Sequence, residues 1–147
     1  MINYQIELLS KTNIKIAIEI TNLLVQLEPT AAPISVKALE KVINSKTTFV
    51  YIATDISSRI VGMITLVSFP KLEGLNKTWI EDLVVDKKYR GQGIAKALID
   101  KAFEKTKSLG VKSVSLTSRP SRTIANAFYK KLGFKIKETN YYKLDLK

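Results

Sequence analysis

A chain of 147 residues with 24 Lys and Arg against 13 Asp and Glu, and with neither cysteine nor histidine, is long enough for one buried core, so a single domain spanning 1–147 is expected. The missing cysteines exclude a disulfide framework, a thiolate zinc site and a cysteine nucleophile, and the missing histidines exclude the Ser-His-Asp and Cys-His mechanisms and most zinc hydrolases. The charge is uneven: residues 1–85 balance at 8 basic and 8 acidic, whereas residues 86–147 carry 16 basic against 5 acidic, a field that attracts polyanions such as nucleotides, nucleic acids or acidic proteins.

In chain order, a first strand is expected near Tyr4 to Leu9. Ile16, Ile20, Leu23, Leu24 and Leu27 then fit a helical face ending before Pro29, although Ile14, Ile16, Ile18 and Ile20 also alternate like a strand; the combined pattern is too long for a strand, so a helix is assigned. Ser35 is placed to cap a second helix running to about Asn44. Thr48 to Thr54 and Ile60 to Ser68 read as strands joined through DISSR, and Thr78 to Val85 as a third, together an antiparallel meander. Gly93 to Leu109 has a helical apolar stripe of Ile94, Ala97, Leu98, Ala102 and Leu109, closed by Gly110. Val111 to Leu116 is expected as a strand parallel to Thr78–Val85, since a helix connects the two. A helix over about Thr123 to Leu132 stops at Gly133, and short strands are expected over 134–137 and 142–146. The order describes an α/β (α+β) domain with a mixed sheet. No apolar run approaches the ~18 residues that span a bilayer, and the start MINYQIELLS lacks a cationic region followed by an apolar block, so a cytosolic protein with no membrane partner is expected.

The most informative stretch is DKKYRGQGIAK, Asp86 to Lys96, at a strand-to-helix joint. First-turn amides of a helix lack internal partners and the helix dipole adds positive potential there. Gly91, Gly93 and the small Ala95 let that backbone approach an anion, with Arg90 and Lys96 supplying charge. The Walker pattern is absent, and the third glycine of the dinucleotide fingerprint would fall at Lys96.

Here the residues resemble a family, the GNAT superfamily of acetyl-coenzyme A dependent N-acetyltransferases. Arg90-Gly91-Gln92-Gly93-Ile94-Ala95 satisfies its [RQ]-x-x-G-x-[GA] motif. The preceding IEDLVVDKKY and the downstream Asn126-Ala127-Phe128-Tyr129-Lys130-Lys131-Leu132-Gly133-Phe134 are similar to its flanking blocks. The resemblance implies a mostly antiparallel twisted sheet with one splayed parallel pair and about four helices. It implies acetyl-CoA as co-substrate and no metal, with the pyrophosphate on the amides from Gly91 to Lys96, the backbone of Leu83, Val84 and Val85 taking the pantetheine arm as an added strand, and Asn126 hydrogen-bonding that arm. Tyr129 corresponds to the tyrosine that hydrogen-bonds or protonates the leaving thiolate.

An alkyl amine of pKa near 10.4 is neutral in only about one molecule in 2,500 at pH 7, so the site must remove a proton before attack. Without histidine the candidates are carboxylates. Glu81 and Asp82 are strand neighbours expected on opposite faces, and Glu81, directly or through a water, is assigned as base. The reading is acetyl transfer to a primary amine of an unidentified acceptor, with a non-catalytic acyl-CoA sensor and a basic nucleic-acid-binding protein as alternatives. The basic half lacks the aromatic platform or helix-turn-helix signature that nucleic acid would call for, and a homodimer stays open.

Overall fold

A computed structural model describes residues 3–147. By internal contacts the chain forms two compact units, one reaching to Leu116 and one from Thr117 to Lys147.

The first unit is a five-stranded sheet in the order β1-β2-β3-β4-β5: β1 (Tyr4–Leu8), β2 (Thr48–Asp55), β3 (Ile60–Pro70), β4 (Asn76–Val85) and β5 (Val114–Ser115). Pairing is antiparallel through β4, and β4 with β5 is parallel. The stretch with two readings is helical, α1 (Ile14–Leu27), and Asn13 starts it by accepting the Ile16 amide at 2.9 Å. Ser35 caps α2 (Val36–Ile43) by accepting the Ala38 amide at 3.1 Å, as the sequence leads one to expect.

Met63 of β3 packs in a core with Ala17, Ile20 and Leu23 of α1 and Leu39 of α2. A Cβ built on its neighbour Gly62 would meet Ile94 Cγ2 at 3.1 Å and Leu98 Cδ1 at 3.3 Å, side chains of α3 (Ile94–Ser108). Adjacent strand residues face opposite sides, so α1 and α2 cover one face of the sheet and α3 the other. Gly62 lets α3 lie close to the strands, because an added methyl group would have to displace well-packed side chains.

α3 ends where expected. Gly110 has φ 73°, its amide reaches Lys107 O at 2.9 Å and the Val111 amide reaches Thr106 O at 3.2 Å, the two bonds of a Schellman stop. That stop uses Val111, so β5 is shorter than the six-residue strand expected from 111 to 116: only Thr78↔Val114 and Trp79↔Ser115 pair. At Ser113 the carbonyl is taken by the Thr78 hydroxyl at 2.8 Å in place of a ladder amide.

The second unit contains α4 (Thr123–Lys131), closed by the same device. The Gly133 amide bonds Lys130 O and the Phe134 amide bonds Tyr129 O, both at 3.0 Å, with Gly133 at φ 95°. The strands expected over 134–137 and 142–146 are not formed; no strand follows β5 among the described residues. Ile136, Tyr142, Leu144 and Leu146 have the alternation of a strand yet remain exposed. Alternation marks which side of a strand would be buried, but a strand exists only when another backbone pairs with it.

Candidate active site

β4 carries the candidate site residues Glu81 and Leu83 to Val85, and it is irregular where the sequence places Glu81 and Asp82. Thr65 pairs with Glu81 and Met63 with Val84, so Asp82 and Leu83 together oppose Ile64. This is a β-bulge, in which one strand carries an extra residue and the ladder is interrupted. Asp82 adopts φ 52°, a left-handed conformation that costs most residues about 1–2 kcal/mol but that Asp tolerates better. The strict alternation expected of the two acids therefore does not hold: Glu81 is exposed and Asp82 half-buried. Beyond Trp79, residues 80–85 of β4 have no partner on β5 among the described residues, so the parallel pair opens ahead of the bulge, leaving backbone groups of Leu83 to Val85 on that edge.

Both carboxyls are held above the usual carboxylate range. Burial raises Asp82, with a Thr65 hydroxyl contact opposing it. Burial raises Glu81, reinforced by the Asp82 charge and opposed by the Trp79 indole. Desolvation and a like charge both disfavour the ionised form. The stability consequence has a definite sign: a raised folded pKa stabilises most below the unfolded value, and that stabilisation is lost as pH rises through the folded pKa. Asp82→Asn is accordingly expected to raise Tm at pH 7, with a gain that shrinks as the buffer is taken down through the carboxylate range. Thermal melts across pH 3–8 check this.

After β4 the chain makes one 3-10 turn, Lys87–Tyr89, capped by Asp86, and then the glycine segment. Gly91 and Gly93 have φ 78° and 82°, conformations that glycine adopts without strain. Gly93 is the N-cap of α3 and supplies no side-chain cap. The first helical bond is from the Ala97 amide to Gly93 O at 3.0 Å, so the amides of Ile94, Ala95 and Lys96 have no acceptor within the helix. A Cβ on Gly91 would meet nothing within 4 Å, so the turn that precedes these amides is uncrowded. Uncapped donors, the positive end of α3 and an uncrowded glycine turn together fit a diphosphate.

The cations assigned to this anion are engaged within the protein. Arg90 Nε donates to Val85 O at 3.1 Å, tying the glycine segment to the end of β4, and Lys96 Nζ pairs with Asp100 at 2.7 Å. Arg90 keeps its charge, because a carbonyl acceptor does not neutralise a guanidinium, whereas the Lys96 charge is shared with Asp100.

In the second unit, Asn126 Nδ2 donates to Arg119 O at 2.9 Å, bracing α4 against the loop before it. Tyr129 is half-buried between Phe128 and Phe134, both with ring centroids 5.7 Å away. Tyr129 and Phe134 occupy the two positions that touch across a Schellman stop, which is the local physical reason for the N-x-x-Y-x-x-x-G-F spacing. Burial raises the Tyr129 phenol above its ordinary value, and the Arg122 charge partly offsets the rise.

The sequence profile of the Acetyltransferase (GNAT) family matches residues 18–134. The chain belongs to that family. A crystal structure of an acetyltransferase from Trypanosoma brucei is 30% identical, covers 98% of this chain and 100% of that one, and superposes with a TM-score of 0.80. A glucosamine 6-phosphate N-acetyltransferase of Trypanosoma brucei brucei is 41% identical over 92 residues, 61% of this chain. The match spans only 60% of that relative's length. An aminoglycoside acetyltransferase from an uncultured soil metagenomic sample has a TM-score of 0.87 at 22% identity, covering 98% of this chain and 97% of that one, a likeness of fold. The sheet that splits its parallel pair and the four helices are those of this family.

Sequence reasoning missed three contributors. Gly62, which seats α3, carried a signal: a glycine inside the apolar run IVGMI marks close approach of another element. The bulge at Asp82 carried none, because Leu83 to Val85 continue an unbroken apolar pattern. The third is the set of contacts between the β2–β3 turn and the segment after β4.

Proposed function

We propose that this protein transfers the acetyl group of acetyl-CoA to a primary amine by direct attack in a ternary complex, residues 1–147 working as one cytosolic N-acetyltransferase domain. The observation that carries the reading is the uncapped start of α3 behind two left-handed glycines, directly downstream of a strand that bulges and parts from its neighbour. The amides of Ile94 to Lys96 hold the diphosphate, and the freed edge of Leu83 to Val85 takes the pantetheine arm by backbone pairing. A backbone amide near Val84 and Val85 steadies the oxyanion. Acetyl-CoA supplies the activated acyl group. Glu81 removes the proton from the attacking ammonium, its raised pKa bringing it nearer the working pH of a general base. Tyr129 donates to the departing sulfur, and Asn126 steadies the arm.

The favoured acceptor class is a phosphorylated amino sugar. The curated relative bears the name of an enzyme acting on glucosamine 6-phosphate, and a net charge of +11 attracts a phosphate but repels a polycationic aminoglycoside. The test is a pair of melts with and without acetyl-CoA, then thiol release over glucosamine 6-phosphate, glucosamine, an aminoglycoside, polyamines and peptides. A ligand at a hundred times its Kd stabilises by about 2.7 kcal/mol, and thiol release is expected to be fastest with the phosphorylated sugar. No melting shift overturns the reading, and a shift without turnover of any amine leaves a sensor.

The base has its own test. Glu81→Gln is expected to lower kcat/KM by about tenfold or more and to abolish the acid limb of its pH profile. That limb rises with pH as the carboxyl ionises, at a pH above the usual glutamate range. Persistence of the limb in the Gln variant would transfer the role to Asp82.

A further inference from the structure

The segment between β4 and the glycine turn, residues 86–90, is clasped by the turn between β2 and β3. Two carboxylates make the clasp reciprocally. Asp55 uses Oδ1 to build its own turn, accepting the amides of Ser57 at 2.9 Å and Arg59 at 3.0 Å, while its Oδ2 accepts the Tyr89 hydroxyl across the gap at 2.8 Å. Asp86 uses Oδ1 to cap its own 3-10 turn, accepting the Lys88 amide at 3.0 Å, while its Oδ2 accepts from Arg59 Nη2 at 3.2 Å. Each segment offers one carboxylate to itself and to the other, and each sends one donor back. Two further bonds hold the same stretch: the Asp86 amide to Val61 O at 2.8 Å and the Lys87 amide to Gln26 Oε1 of α1 at 2.9 Å. Arg90 then closes the chain onto Val85 O.

We infer that the β2–β3 turn belongs to the coenzyme-binding apparatus, with Asp55, Arg59 and Tyr89 as positioning residues that fix the segment from which the diphosphate-holding amides of α3 are launched. This rests on the proposed function above.

The physical need is clear. Two left-handed glycines either side of Gln92 give the chain between β4 and α3 wide freedom, and amides that must meet one anion together gain affinity only if their directions are set beforehand. The clasp holds the Tyr89 phenol two positions before the first glycine, through a carboxylate 34 positions away in sequence. Charge-assisted bonds are the stronger class of hydrogen bond. The titration of the pair agrees with the geometry: the Tyr89 hydroxyl bond holds Asp55 below the usual carboxylate range, and the same bond holds Tyr89 above the usual phenol value. The carboxylate is therefore ionised and the phenol protonated at neutral pH, as the bond requires.

Tyr89→Phe removes the cross-link without touching the Asp55 turn, and Arg59→Gln removes the other. Isothermal titration with acetyl-CoA is expected to show a Kd about three- to tenfold weaker for each variant, with kcat at saturation and the KM for the amine unchanged. Hydrogen exchange of the unliganded variants is expected to quicken at residues 87–96 and to stay unchanged in β2 and in the second half of α3. Saturating acetyl-CoA is expected to restore the lost protection. A Kd within twofold of the parent for both variants, or quickened exchange spread through β2 and β3, overturns the inference. Failure of the parent protein to bind acetyl-CoA at all overturns the proposed function instead, and the inference with it.

Discussion

Tyr129→Phe is expected to lower kcat by about a hundredfold while leaving the KM for acetyl-CoA and the melting temperature nearly unchanged. The ring contacts with Phe128 and Phe134 survive the substitution, since phenylalanine fills the same space. The lost hydroxyl orphans nothing, because it has no hydrogen-bond partner among the described residues, and removing an unshared donor carries little stability cost. What is lost is chemistry. Burial holds the phenol above its ordinary pKa, so at neutral pH it is a neutral donor. Full transfer of its proton to a thiolate of ordinary basicity is uphill by about 2 kcal/mol in water, and the raised pKa widens that gap. In the proposed mechanism the donor therefore stabilises developing charge on sulfur rather than protonating it early. That places the loss at the low end of acid catalysis and confines it to kcat, since the thioester carries no such charge in the ground state. The parent profile is expected to fall on its basic side as the phenol ionises, above the normal tyrosine range, and the Phe variant to lack that fall. A kcat within threefold of the parent removes Tyr129 from the mechanism.

The sequence was most transparent where one local rule decides the outcome. Ser35 is an N-cap, Gly110 and Gly133 are Schellman stops, and the helical spacing of Ile16, Ile20 and Leu23 outweighs the alternation of the isoleucines. The glycine turn before α3 was legible as a place where backbone can approach an anion, and the structure adds that Gly93 is a left-handed N-cap rather than the first helical residue. Features set by pairing across long separations were not legible. The bulge at Asp82 arises from register with β3, and nothing in LVV announces it. Arg90 and Lys96 read as ligands of an anion because residue type reveals charge, although the i,i+4 spacing of Lys96 and Asp100 already offered that lysine a partner on its own helix. Tyr142, Leu144 and Leu146 show the limit from the other side: the pattern of a strand is present and the strand is not.

Gly93→Ala should weaken acetyl-CoA binding about tenfold and destabilise the protein by about 1–2 kcal/mol, the cost of a left-handed conformation for an L-residue. Crowding is not the cause. A Cβ at this position would meet only the Tyr4 hydroxyl, at 3.7 Å, an ordinary contact. The strain is torsional, at φ 82°, and the chain can relieve it only by rotating the N-cap peptide. Rotation there re-aims the Ile94, Ala95 and Lys96 amides, since Gly93 O also accepts the first helical bond, from Ala97. Stability and affinity should thus fall together and in graded fashion. Asn, which tolerates the left-handed region, should lie between Gly and Ala, and Val, branched at Cβ, should be worst. An alanine at position 91, where φ is 78°, would be similarly strained with open space around it, but the position lies two residues before the cap, so Gly91→Ala should cost comparable stability with a smaller loss of affinity. Differential scanning fluorimetry and titration calorimetry on the five proteins measure both axes. If stability follows the series while the acetyl-CoA Kd stays constant across it, the first-turn amides of α3 do not hold the ligand, and the anion must be carried by side chains instead.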